Sequence, residues 1–346
     1  MEKQIKDSKF DKSIIVKTYI KYAVIIGVLF AVYGITLVLI QQGIINSYML
    51  RVIKTAGIFM IAAFGLNLIL GFTGQLTMGH AAFMSIGAYA SAIMTQKFGA
   101  PYFAALLVGV VVSAVMAAAI GYPILRLKGD YLAICTLGFG EIVKVVIQNI
   151  DYVGGARGMT SIPVKTSFMT IFFSAALCFA LIKNLIHSSK GRAIMSVRED
   201  DIAAEAMGIN PTRYKMTAFI IGSAMAGLAG GLYAHFNTFI DPVSFNYAKS
   251  FDFITYVVLG GMGSVSGTVV GTSILVFLPE SLRGLSDVFK ENRMLIYAVM
   301  LVALMIFRPN GILGNKEITV KGIINGCKKL VARITKKDNK TAKAGE

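Results

Sequence analysis

Residues 55–96 read TAGIFMIAAFGLNLILGFTGQLTMGHAAFMSIGAYASAIMTQ and contain no Asp, Glu, Lys or Arg. A helix needs about 20 residues to cross the roughly 30 Å hydrocarbon core of a bilayer. The run is therefore long enough for two crossings. We place the break between them around the GFTG segment at 71–74, because glycine weakens a helix interior. This stretch predicts a protein built from membrane-spanning helices.

Composition extends this conclusion to the whole chain. Of the 346 residues, 55% are apolar and 15% are charged, and the mean hydropathy is +0.69. Soluble domains carry about 25% charged residues, so an ordinary soluble enzyme is excluded. The 35 glycines lie in apolar runs without a triplet period, which excludes a collagen-like chain. We predict an all-α fold, a polytopic transmembrane helical bundle.

Charge predicts the orientation of this bundle. The net charge is +16, and residues 1–21 and 308–346 are both strongly basic. Basic segments that flank membrane spans stay inside and meet anionic lipid, so both termini should be cytoplasmic. Nucleic-acid binding is not expected, because no aromatic-basic motif accompanies the lysines. We divide the chain into a basic cytoplasmic arm at 1–21, a transmembrane domain at 22–314 with a cytoplasmic loop at 188–215, and a basic cytoplasmic tail at 315–346.

Cytoplasmic termini require an even number of crossings. A single pass at residues 253–279 would place the tail outside, so we expect two short passes or a re-entrant hairpin turning at 260–267. Asp241 and Asp252 then belong to an external loop. We expect about ten membrane-entering segments. Besides the two in 55–96 and those in 253–279, apolar runs occur at residues 22–45, 102–125, 131–150, 166–186, 216–240 and 294–307.

Two glycine clusters have similar spacing in the two halves of the chain. One is GFTGQLTMG at 71–79 and the other is GGMGSVSG at 260–267. Glycine lets a helix break where neighbours or a water-filled pathway satisfy the backbone, and transporters often repeat such breaks. The alternative is close helix packing alone. The candidate hinge residues are Gly71, Gly74, Gly260, Gly261, Gly263 and Gly267.

Polar side chains inside apolar runs are candidates for a transport pathway, because an unpaired polar group facing lipid is costly. The alternative is hydrogen bonding between helices. Glu141 and Lys144 lie three residues apart, so they share a helix face and could neutralise each other. The candidates are Asn67, Gln75, Thr77, His80, Glu141 and Lys144.

The loop at 188–215 contains a short helical pattern, DDIAAEAMGINP at 200–211. Its acidic residues suit a helix N-terminus, its alanines favour helix, and Gly208 can cap the C-terminus. A rigid, partly apolar helix at the membrane surface suits docking into a groove of another protein. The alternative is a simple connecting helix. The residues concerned are Ile202, Ala203, Ala204, Glu205, Ala206 and Gly208.

The spacing Ala203-Ala-x-x-x-Gly208 resembles the coupling loop of ABC importer permeases, which inserts into an ATPase subunit. Ile202 stands where that motif has Glu. A wider set of blocks resembles branched-chain amino acid permeases of the LivM type. These blocks are FGLNL at 64–68, GFTGQLTMGHAAF at 71–83, KGDYLA at 128–133, GG at 154–155, AAEAMGIN at 203–210 and LGGMGS at 259–264.

The resemblance implies a complex in the bacterial cytoplasmic membrane. The expected partners are a second, LivH-like permease, two cytoplasmic ATPases of the LivG and LivF kinds, and an extracytoplasmic substrate-binding protein. ATP and Mg²⁺ are then bound by the ATPases. The chain itself has no Gly-x-x-x-x-Gly-Lys-Ser/Thr loop and no metal-ligand or nucleophile-base pattern, so we expect neither cofactor nor enzyme activity in it.

The resemblance implies import of leucine, isoleucine or valine. Urea or short amides, and sugars or nucleosides, are alternative substrates of related permeases. A different class is an ion-coupled secondary transporter, for which His80 and the pair Glu141 and Lys144 would be coupling groups. A channel would need a visible selectivity ring, which the sequence lacks.

Overall fold

The computed structural model describes residues 45–127, 129–283, 293–308 and 311–314, together with some positions between 33 and 43. The predicted arm at 1–21, the tail at 315–346 and most of the predicted span at 22–45 lie outside the described residues.

The described part of the chain is built from helices. Three 3-10 turns connect them at Asp151–Val153, Gly155–Arg157 and Pro242–Phe245, and one isolated β-bridge pairs Met159 with Ile240. The helices are α1 (Ser47–Leu66), which continues as a π-helix (Asn67–Phe72), α2 (His80–Gln96), α3 (Tyr102–Ile124), α4 (Asp130–Gln148), α5 (Phe168–His187), α6 (Ser189–Glu199), α7 (Asp201–Ala206), α8 (Pro211–Asn237), α9 (Tyr247–Gly260), α10 (Val265–Arg283) and α11 (Arg293–Phe307).

Helix α8 lies at the centre of the bundle, where it packs against α1, α2 and α3. Glycines allow these helices to touch through their backbones. A Cβ atom built on Gly230 would lie 1.9 Å from the Met84 carbonyl oxygen, and one on Gly87 would lie 2.3 Å from the Gly227 carbonyl oxygen. Such close approach is typical of membrane helices, which gain little from the hydrophobic effect when they associate.

Four of the described helical segments are long and apolar enough to cross a membrane. The outer face of α3 is apolar and unsuited to contact with water. It consists of side chains that recur every fourth residue and are all exposed, namely Phe103, Leu107, Val111 and Val115. An apolar stripe of this kind is typical of a surface covered by lipid or protein. The four segments are Ser47–Phe72, Tyr102–Ile124, Phe168–His187 and Pro211–Asn237. The chain is a helical integral membrane protein.

Two of the differences from the boundaries expected from the sequence matter for the site. The interruption after α1 extends to Gly79, beyond the GFTG segment. Helix α9 begins at Tyr247 rather than at residue 253, so placing Asp252 in a loop was wrong. Lys249 pairs with Asp252 at 3.3 Å, and its Nζ atom lies 3.9 Å from the centre of the Phe59 ring. These contacts offset the cost of placing charges on a helix that hydropathy alone would start later.

Candidate functional site

Helix α1 loses its regular α-helical form at Asn67 and continues to Phe72 as a π-helix. The π-helix is rare and is frequently found at functional sites. Residues 74–79 are then non-helical, and α2 begins at His80. The polar side chains of this region are buried inside the bundle, namely those of Asn67, Gln75, Thr77 and His80. We call residues 71–79 the first break.

The chain is interrupted again between α9 and α10, and we call residues 260–267 the second break. Its two helices approach closely, since a Cβ atom on Gly260 would lie 2.3 Å from the Gly267 carbonyl oxygen. Ser264 directly precedes α10, and its Oγ atom accepts a hydrogen bond from the Gly267 amide at 3.0 Å. The predicted turn at 260–267 is therefore a tight helical hairpin.

The segment after α11 completes the second break. The Ile312 amide donates to the Leu259 carbonyl at 2.7 Å, and the Leu313 amide donates to the Gly260 carbonyl at 3.3 Å. These bonds satisfy carbonyls at the end of α9 that have no partner within the helix. Gly261 lies directly beneath this segment, because a Cβ atom there would be 2.4 Å from the Gly314 carbonyl oxygen.

Asn67 joins the two breaks. Its Nδ2 atom donates to the Ser264 carbonyl at 2.9 Å and to Thr268 Oγ1 at 2.8 Å, and its Oδ1 atom accepts from the Gly263 amide at 3.0 Å. Gly71 allows this contact, since a Cβ atom there would lie 1.9 Å from Asn67 Oδ1. Two glycine clusters that are far apart in the sequence thus form one structural unit.

The other predicted polar residues of the first break are buried beside this unit. The side chains of Gln75 and Thr77 have no hydrogen-bond partner among the described residues. His80 Nε2 contacts the Ala62 carbonyl at 2.9 Å, and its ring packs edge-on against Phe253 at 6.0 Å between centroids. His80 is therefore a packed side chain between α1 and α9. Gly74 lies beside Arg198, whose Cγ atom would be 3.4 Å from an added Cβ.

Glu141 and Lys144 form an ion pair with each other on α4. Both side chains are partly exposed, so the pair lies at the surface of the described chain. A different residue of the same helix, Thr136, contacts the first break by accepting a hydrogen bond from the Met78 amide at 3.0 Å. The structure therefore does not bring the ion pair together with Asn67 and the joined breaks.

The short helix predicted in the loop is present as α7. Asp200 caps its N-terminus by accepting from the amides of Ile202 at 2.8 Å and Ala203 at 3.1 Å. Gly208 ends the turn with a φ of +81°, a left-handed conformation that glycine adopts without strain. The short tether to α8, which begins at Pro211, keeps α7 close to the bundle.

The faces of α7 differ in exposure. Ile202 is 76% exposed and Met207 is 82% exposed, whereas Ala204 is 3% exposed. Ala203, Glu205 and Ala206 are exposed as well. Ala204 therefore packs α7 against the rest of the chain, and the apolar surface available to a partner comes from Ile202 and Met207. Met207 was not among the predicted residues, because that prediction was based on the spacing of the alanines and Gly208.

Arg198 was not among the predicted site residues, because by sequence it is only one more positive charge in the loop. Its Nη1 atom donates to the Gly71 carbonyl at 2.6 Å. On the other side of α7, Lys215 forms an ion pair with Asp201. A cavity of about 410 Å³ lies between the first break and this loop, lined by Gln75 and Arg198 among other residues. The loop and the first break are thus in direct contact.

Comparison with known proteins identifies the family. The family model described as "Branched-chain amino acid transport system / permease component" matches residues 48–305. The high-affinity branched-chain amino acid transport system permease protein LivM of Salmonella typhimurium is 36% identical over 291 residues, which cover 74% of this chain and 68% of the relative. LivM of Escherichia coli K12 is 35% identical over 291 residues, which again cover 74% of this chain and 68% of the relative.

A weaker similarity extends to a second kind of permease. LivH of Escherichia coli K12 is 25% identical over 291 residues, covering 75% of this chain and 92% of the relative. No solved structure gives a significant match. The resemblance noted in the sequence is confirmed: this chain belongs to the family of branched-chain amino acid transport system permease components.

Proposed function

We propose that this chain is the membrane-spanning permease subunit of an ATP-driven importer that moves leucine, isoleucine or valine into the bacterial cytoplasm. The observation that carries the proposal is the match to LivM over most of the chain. The partners are a LivH-like permease, two LivG- and LivF-like ATPases that bind ATP and Mg²⁺, and an extracytoplasmic substrate-binding protein.

In this proposal, ten segments enter the membrane and both termini are cytoplasmic. The predicted span at 22–45 supplies one segment. Nine come from the described helices, with α6 and α7 on the cytoplasmic side. The hairpin of α9 and α10 supports this count, because two helices at this position fit the two passes that the basic tail requires.

The proposed role of α7 is to dock into the ATPases and transmit their movement. Its exposed Ile202 and Met207 supply apolar anchors on an otherwise small helix, and its caps hold it in one orientation. The joined breaks respond to this movement and open the pathway that the chain shares with the second permease. A helix that inserts apolar side chains into a groove is a common recognition mode.

The test is an Ile202→Asp variant in the assembled complex, with Ile202→Val as the matched control. A charge at this exposed position should lower ATP-dependent uptake of radiolabelled leucine by about tenfold or more, because it removes a central apolar anchor. Membrane insertion should be unchanged, since Ile202 packs little against its own chain. The valine variant should transport normally.

Three results would contradict the proposal. Normal coupled uptake by Ile202→Asp would refute the docking role. Leucine uptake that persists without the ATPases and collapses with an ion gradient would indicate a secondary transporter. If urea, sugars or nucleosides compete for uptake and isoleucine and valine do not, the assignment of branched-chain amino acids as substrates is wrong.

A further inference from the structure

Arg198 occupies the last turn of α6, just before Asp200, which caps α7. Its guanidinium donates to the Gly71 carbonyl at 2.6 Å. The last carbonyls of a helix have no partner within the helix and carry the negative end of its dipole. A charged donor therefore suits this position, and a hydrogen bond with an ionised partner is stronger than a neutral one.

The same guanidinium borders the second break. A Cβ atom built on Gly263 would lie 2.9 Å from Arg198 Nη1 and 3.3 Å from the Gly71 carbonyl oxygen. The Gly263 amide is in turn held by Asn67. One side chain of the loop thus binds the first break and lies against the second at the point where they are joined.

Movement of α7 would be carried to Arg198 through a short, constrained connection. Asp200 alone separates α6 from α7, and its carboxylate is fixed by the amides of Ile202 and Ala203. Arg198 lies on the α6 side of Asp200 and is partly buried. A shift of α7 that carries the end of α6 with it would therefore strain or break the Gly71 contact.

We propose that Arg198 is the positioning residue through which displacement of α7 reaches the two helix breaks. This rests on the proposed function, because the ATPases supply the displacement. Arg198 touches neither nucleotide nor transported solute in this scheme. Its contribution is to make the geometry of Gly71 and Gly263 depend on the position of the loop.

Arg192 provides a matched control on the same helix. It is exposed, and its guanidinium nitrogens lie 3.4 Å from the His187 carbonyl and from Ser189 Oγ. Replacing it with alanine removes the same charge from the same helix and leaves the contact at Gly71 intact. A difference between the Arg198 and Arg192 variants therefore reports the contact and not the charge of the loop.

The experiment uses the full complex in proteoliposomes and measures leucine uptake per ATP hydrolysed. Arg198→Ala should lower this ratio by about tenfold, the effect of losing one charge-assisted contact. Arg198→Lys, which keeps one charged donor without the planar fork, should lie between Arg198→Ala and the wild type. Arg192→Ala should match the wild type.

A second readout needs no transported solute. In a chain whose three cysteines are replaced, Leu76→Cys places a label site in the first break. The rate at which a membrane-impermeant maleimide labels it should change when the complex binds ATP. This ATP response should disappear in Arg198→Ala and persist in Arg192→Ala. Arg198→Lys serves in both assays if the alanine variant does not assemble.

The outcomes separate the two proposals. An ATP response of Leu76→Cys that is as large in the Arg198 variants as in the wild type would overturn the role of Arg198. An uptake ratio that stays at the wild-type value in those variants would do the same. Absence of leucine uptake by the wild type would reject the substrate alone, and the labelling response would still decide whether Arg198 acts.

Discussion

The contact between α2 and α8 and the joined breaks use glycine in two different ways. In both places an added Cβ would lie 1.9 Å from another atom: the Met84 carbonyl oxygen for Gly230, and Asn67 Oδ1 for Gly71. Between α2 and α8 the helices continue through the contact. At the breaks the helices end, and the side chains of Asn67 and Arg198 bind backbone groups there.

This comparison shows that glycine content does not by itself identify a hinge. Close packing accounts for the glycines between α2 and α8, because continuous helices satisfy their own backbones there. A break requires partners for freed carbonyls and amides, and polar side chains supply them. We expect substitutions in the first region to affect folding most and substitutions at the breaks to affect transport most.

The largest effect is expected for Gly230→Leu in α8. The new side chain would overlap the Met84 backbone, which cannot move without separating α2 from α8, and overpacking of this kind costs about 3 kcal/mol or more. The variant should not yield monodisperse protein in detergent chromatography. Gly138→Leu in α4 is the control, because nothing lies within 4 Å of its Cβ position. A normal yield of Gly230→Leu would refute close packing.

Next in size is Asn67→Leu, which removes the three hydrogen bonds that join the breaks. At about 1 kcal/mol for each bond, the loss is on the order of 3 kcal/mol. Uptake per inserted protein should fall more steeply than the yield of folded protein. Asn149→Leu removes only a bond from the residue after α4 to the last turn of that helix and should leave uptake unchanged. Equal uptake by the two variants would show that the joined breaks take no part in transport.

Gly208→Val should have a smaller effect. Its φ of +81° strains any side chain, although nothing lies within 4 Å, and the left-handed conformation costs about 1–2 kcal/mol. The variant should insert normally while ATP-coupled uptake falls severalfold, because α7 loses its fixed end. Gly99→Val imposes similar strain three residues after the end of α2, with a φ of +63° and nothing within 4 Å of its Cβ position. If both variants lose uptake equally, strain alone explains the loss.

The smallest effect is expected for the ion pair on α4. Glu141 and Lys144 are partly exposed, and pairs of this kind contribute about 1 kcal/mol or less. The double variant Glu141→Gln with Lys144→Met should retain uptake within about twofold of the wild type. Uptake assays with and without an ion gradient check this. A loss of more than about tenfold in the double variant would favour ion coupling over ATP coupling.

Local patterns predicted the parts of the structure that depend on neighbouring residues. The apolar runs predicted the described helices other than α6 and α7, the glycine clusters predicted the breaks, and the alanines followed by Gly208 predicted α7. The partners were not predictable, because Asn67 meets Ser264 and Thr268 only after the chain has returned through several helices. Similarly, Arg198 has no local signal that distinguishes it from Arg192.

The sequence by itself determined that this protein lies in a membrane, where its two glycine-rich breaks occur, and which family it belongs to, because hydropathy, glycine spacing and motif identity are properties of short segments. Only the tertiary structure decided that the two breaks meet, that Asn67 joins them, and that Arg198 of α6 lies against both. Hydrogen bonds form between atoms about 3 Å apart, and that proximity is created by packing and not by order along the chain.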